Sequence, residues 1–92
     1  MEGTVRKHVY VSGRVQGVGF RYYATYIAQR NGVSGWVKNL YDGRVEMEVQ
    51  GKPEQIDALF EGLKRQRHIQ ITDLEMKDIP ADPSSYEMKV RY

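Results

Sequence analysis

Val5, Val9 and Val11 fall on alternate positions of the first segment, with Lys7 as one polar lapse and His8, Tyr10 and Ser12 between them. A period of two predicts a strand over Val5 to Ser12. The period then changes. Phe20, Ala24, Ile27 and Ala28 recur at helical spacing, and Asn31-Gly32 after Arg30 supplies a helix exit with glycine at the cap. Gly35 to Leu40 reads as a second strand. Asp42-Gly43 gives turn chemistry, and Val45, Met47 and Val49 alternate with Glu46, Glu48 and Gln50 in a half-buried third strand.

Gly51-Lys52-Pro53 ends that strand, with Pro53 suited to the first turn of a helix. Ile56, Leu59, Phe60 and Leu63 follow at i, i+3, i+4 and i+7, with charged residues on the other face. Ile71 to Ile79 predicts a strand. After the Pro80 to Ser85 loop, Tyr86, Met88, Val90 and Tyr92 alternate with Glu87, Lys89 and Arg91, so those tyrosines are expected to face inward. The order is β-α-β-β-α-β plus one closing strand. That is an α+β chain of ferredoxin-like type, an α/β sandwich of four to five antiparallel strands with two helices on one face. No repeat or linker divides residues 1–92, so one domain is expected.

Composition narrows the chemistry. With no cysteine, neither a disulfide framework nor a thiolate metal site is available, which suits a cytoplasmic protein. No long apolar run marks a signal peptide or membrane span, so no membrane partner is expected. A net charge of +2 does not by itself announce a nucleic-acid partner. Its distribution is uneven. Residues 1–46 carry seven Lys/Arg against three acids, whereas residues 47–92 carry seven against nine.

The positive half contains GRVQGVGFR, residues 13–21, where a glycine loop runs from the first strand into the first helix. Unpaired N–H groups at a helix start, with the positive end of the helix dipole behind them, attract anions. Gly17 and Gly19 let the loop curl into a nest, and Arg21 adds a fork of donors matched to phosphate oxygens. A phosphate-sized anion is the best-fitting guest; a plain turn is the duller alternative. It is not a Walker loop, since no Lys-Ser/Thr follows, and the spacing differs from a dinucleotide fingerprint.

Together with GWVKNLYDGRVEMEVQG, residues 35–51, this loop closely resembles the two signature stretches of the acylphosphatases. The resemblance covers essentially the whole chain. It implies hydrolysis of acyl phosphates to a carboxylate and inorganic phosphate. The family's essential arginine falls on Arg21, which would hold the phosphoryl oxygens together with the N–H groups of Val15, Gln16, Gly17, Val18, Gly19 and Phe20. Its essential asparagine falls on Asn39, which would position the attacking water. No cofactor or metal is implied, and a monomer is expected.

Other residues have plainer readings. His8 and His68 lack a partner at catalytic or metal-binding spacing. Lys64 to Arg67 reads as a solvated helix end. The seven tyrosines are explained mostly by core filling and edge packing, and Trp36 by packing or by lining the site mouth. Lys38 and Arg44 read as surface residues. Two other functions fit the element order. An RNA-binding module would also use a four-stranded sheet on two helices, but His8, Tyr10 and Ser12 beside Glu46 and Glu48 make a poor stacking platform. A non-catalytic domain of the kind found at the front of larger carbamoyl-transfer enzymes is the other; the intact Arg21 and Asn39 and the absence of a linker argue for a stand-alone enzyme.

Overall fold

The computed structural model describes residues 2–92. Its elements are β1 (Val5–Arg14), α1 (Phe20–Asn31), β2 (Ser34–Asn39), β3 (Val45–Gly51), α2 (Pro53–Lys64), β4 (Gln70–Ile79) and β5 (Met88–Arg91). They form one five-stranded sheet in the order β4-β1-β3-β2-β5. Val9 and Val11 of β1, Val37 of β2, and Val45, Met47 and Val49 of β3 are buried on one face. Against them pack Phe20, Ala24 and Ala28 of α1 and Ile56, Leu59, Phe60 and Leu63 of α2. The apolar alternation and the helical spacing thus converge on a single core, because each face must remove its apolar stripe from water.

The helix ends follow local chemistry. Pro53 opens α2, and the Gln55 side chain accepts the Lys52 N–H at 2.8 Å, satisfying one of the donors that a helix start leaves free. Lys7, the lapse in the apolar pattern of β1, reaches out to pair with Asp78 at 2.7 Å.

The other sheet face is polar. Arg6, His8 and Tyr10 stand in register with Gln50, Glu48 and Glu46 of β3. Arg6 binds Glu48 and Gln50, and His8 meets Glu46 at 2.7 Å. Trp36 lies on this face beneath the Arg91 guanidinium, 4.6 Å from its ring centroid, rather than at a cavity mouth.

The sheet is mixed, not wholly antiparallel. β5 pairs parallel to β2, from Gly35↔Met88 to Lys38↔Arg91. The connection after β4 must cross four strand spacings, about 19 Å, to reach the far edge. Its eight residues, Pro80 to Glu87, can span about 26 Å when extended. Gln50 holds Asp82 through both its amide groups at 2.9 and 2.8 Å, and Ser34 meets Ser85 at 2.6 Å. Having crossed beneath the sheet, the chain has one direction left, that of β2.

Candidate active site

β1 ends, β2 ends and α1 begins at one edge of the molecule. A bulge in the β1–β4 ladder between Ser12 and Gly13 bends β1 as it leaves the sheet. The loop that follows is pinned at both ends, since Val15 and Phe20 are fully buried and Val18 packs on the core. Between these anchors Gly17 and Gly19 take φ of 71° and 80°, left-handed values that side-chain-bearing residues avoid. Gly19 caps α1 with no side-chain hydrogen bond. Among the described residues, no acceptor engages the N–H groups of Gln16, Gly17, Val18, Gly19 or Phe20. The result is a curled run of free donors at a helix start.

Val15, Gly17, Gly19, Phe20, Arg21 and Asn39 line one cavity of about 410 Å³. Its remaining wall comes from α1 and β5, through Tyr22, Thr25, Val90 and Tyr92. Two groups there are open to a ligand. Arg21, like Arg14, Arg30, Arg65, Arg67 and Arg91, makes no ion pair among the described residues. Its guanidinium instead lies over the Tyr92 ring, 5.2 Å from the centroid. Asn39 Oδ1 is the one buried side-chain oxygen or nitrogen without a partner among the described residues. A buried acceptor left unpaired costs roughly 1–3 kcal/mol, which a ligand or water donating to it would recover.

Gln16 has a different part. Its side-chain amide donates to the carbonyls of Leu40 at 2.7 Å and Arg44 at 2.9 Å. The glycine loop is thereby tied to the β2–β3 turn that follows Asn39. In the same turn Leu40 N–H donates to the Arg44 carbonyl at 2.8 Å. Arg44 N–H donates to Asp42 Oδ1 at 3.0 Å. That backbone hydrogen bond, helped by the Arg44 guanidinium, holds the Asp42 carboxyl below its ordinary value of 3.8. Sequence reasoning missed this clamp, because an amide at Gln16 carries no sign of which carbonyls it will meet.

None of the seven tyrosines is buried in the core, although Tyr23 packs against it. Tyr22, Tyr26, Tyr41, Tyr86 and Tyr92 are exposed, so the inward expectation for Tyr86 and Tyr92 does not hold. Several of them meet cations instead: Arg30 lies over Tyr26 and Lys89 over Tyr86, as Arg21 does over Tyr92. His8 is engaged by Glu46 on the polar sheet face, away from this cavity.

Fold and cavity together define a small ferredoxin-like α+β protein with a curled, glycine-containing loop of free N–H donors between its first strand and first helix. The acylphosphatase family model matches residues 7–88. An acylphosphatase of Bifidobacterium longum is 47% identical over 77 residues, covering 83% of this chain and 79% of its own. The crystal structure of acylphosphatase from Bacillus subtilis superposes with a TM-score of 0.85 at 31% identity, over 96% of this chain and 99% of the other. HypF of T. kodakarensis carries the same architecture in 12% of its length, with 34% identity, a TM-score of 0.82 and 96% of this chain covered. The chain belongs to the acylphosphatase family and is accordingly an enzyme of acyl phosphate hydrolysis.

Proposed function

We propose that the phosphoryl group of an acyl phosphate is held by the N–H groups of Val15 to Phe20 and by Arg21, while Asn39 positions the water that attacks it. The observation that carries this reading is the pairing, in one cavity, of an uncompensated guanidinium with the orphaned Oδ1 of Asn39. Water donates one O–H to Oδ1 and presents a lone pair to phosphorus. As the O–P bond forms, the P–O bond to the acyl group breaks, and the products are carboxylate and inorganic phosphate.

Few groups are needed. Phosphoryl transfer depends mainly on positioning and on stabilising charge spread over the equatorial oxygens. Loop N–H groups and the Arg21 fork supply those donors. The leaving carboxylate has a conjugate acid with a pKa of about 4, so it departs unprotonated at neutral pH and needs no general acid. An amide is a poor base, so the proton of the attacking water passes to a phosphate oxygen. We further infer a cytoplasmic monomer acting on small acyl phosphates. The RNA-binding alternative fits less well, because carboxylates already occupy Arg6 and His8 on the open sheet face.

The test is hydrolysis of benzoyl phosphate with EDTA present, with Arg21→Ala and Asn39→Ala alongside the wild type. Rapid turnover that survives EDTA and is lost in both variants is expected. Turnover retained in either variant, with its fold intact, would remove that residue from the mechanism.

A further inference from the structure

The cavity that holds Arg21 and Asn39 does not end at its own walls. A second, larger cleft of about 750 Å³ shares Tyr22 and Thr25 with it and continues along α1 as far as Arg30 and Gly32. The two form one trough. Its first wall is the stripe Tyr22, Tyr26 and Arg30, at i, i+4 and i+8 of α1, about 12 Å long at 1.5 Å per residue. Its second wall is the chain through Tyr86 and Met88, which β5 extends to Val90 and Tyr92 beside the small cavity.

Large exposed apolar side chains are concentrated here. Four of the six among the described residues, Tyr22, Tyr26, Tyr86 and Tyr92, line this path. On the helix wall the rings are in mutual contact. Tyr22 meets Tyr26 edge to face at 6.3 Å, and Arg30 lies 5.6 Å over Tyr26. Thr25 Oγ1 is engaged by the Tyr22 carbonyl at 2.8 Å. Pre-ordered aromatic walls receive a flat apolar group with little loss of side-chain freedom.

Reaction geometry assigns the direction. In-line displacement puts the leaving group on the side of phosphorus away from the attacking water. Asn39 borders the small cavity but not the larger cleft. The trough is therefore the exit open to an acyl group when water comes from Asn39. We propose that it is an acyl subsite that selects acyl phosphates bearing extended aromatic acyl groups, with Tyr26 and Tyr86 as specificity-determining residues. This rests on the phosphoryl site described above.

The experiment compares 4-phenylbenzoyl phosphate with acetyl phosphate on the wild type, Tyr26→Ala and Tyr86→Ala, together with binding of 4-phenylbenzoate to each. In the wild type, KM for the biaryl substrate is expected to be at least about tenfold below that for acetyl phosphate, as burial of two rings implies. Each variant should lose about three- to tenfold in kcat/KM for the biaryl substrate, through KM, with acetyl phosphate unchanged. Equal losses on both substrates, or an unchanged ratio, would overturn the proposal. If the wild type turned over neither substrate, the phosphoryl reading would fail by itself. Binding of 4-phenylbenzoate weakened by Tyr86→Ala would then still uphold the trough, and absence of such binding would sink it.

Discussion

Arg21 and Asn39 border the same cavity but are asked for different things. Arg21 brings a guanidinium that no carboxylate among the described residues pairs with, and a charged hydrogen-bond donor contributes in the bound ground state as well as in the transition state. Asn39 brings a buried acceptor without a protein partner, which in the proposed mechanism receives the incoming water. Inorganic phosphate, as a competitive inhibitor, separates these roles. Arg21→Ala should weaken phosphate binding by at least about thirtyfold, the loss of roughly 2 kcal/mol. Asn39→Ala should leave phosphate affinity within about twofold and lower kcat by at least about a hundredfold. Loss of phosphate affinity with kcat preserved in Asn39→Ala would reverse the assignment.

At the scale of elements, the two residues act together only if the glycine loop and the end of β2 keep their spacing. Among the described residues no main-chain hydrogen bond joins them directly. The Gln16 amide does, through its bonds to Leu40 and Arg44. Gln16→Ala removes both and leaves two carbonyls without that donor, costing about 1–3 kcal/mol in stability. Because Arg21 and the loop donors remain, phosphate should still bind. The expected signature is therefore a fall in kcat of about tenfold or more with little change in phosphate inhibition, and partial recovery in Gln16→Asn would not be expected, since the shorter side chain falls short of both carbonyls. Phosphate affinity falling in step with kcat would show that the clamp supports the loop rather than its distance from Asn39.

The same clamp marks the limit of what the sequence discloses. Val9 and Val11, the run Val45–Met47–Val49 and the stripe through Leu59 and Leu63 are legible because their period alone states which face is buried. Gly17, Gly19 and Arg21 are legible as an anion motif because a left-handed backbone and a fixed fork of donors are local properties. The parallel pairing of β5 is not, since it follows from where the Asp82 and Ser85 contacts steer a crossing loop. Nor is the outward placement of Tyr86 and Tyr92. Alternation predicted them inside, but cations on neighbouring positions offer the rings a surface alternative, and β5 is only four residues long.

For the whole molecule, the arrangement keeps the histidines away from the candidate site. Its two histidines, His8 and His68, do not line the cavity, and His8 lies on the opposite, polar face of the sheet. In the proposed mechanism a water held by an amide and a leaving group that needs no proton together require no side chain that changes charge between pH 6 and 9. kcat/KM for an acyl phosphate should accordingly be flat, within about twofold, over that range. The carboxyls that bear on stability act at the acid end. The carboxyls of Asp42 and Asp82 are held below their ordinary value, Asp42 mainly by the Arg44 N–H and Asp82 by the hydroxyl and N–H of Ser84. A lowered carboxyl contributes stability that is fully present above its unfolded pKa and is lost as pH falls through the folded one. Both groups therefore begin to withdraw their support only below the ordinary value of 3.8, where the turn after Asn39 would loosen first through Asp42. A pH profile of kcat/KM, measured beside Tm, checks both statements at once. A level Tm with a rate that rises or falls through a midpoint near 6.5 would bring a histidine into the reaction, and the amide at Asn39 would no longer account for the water by itself.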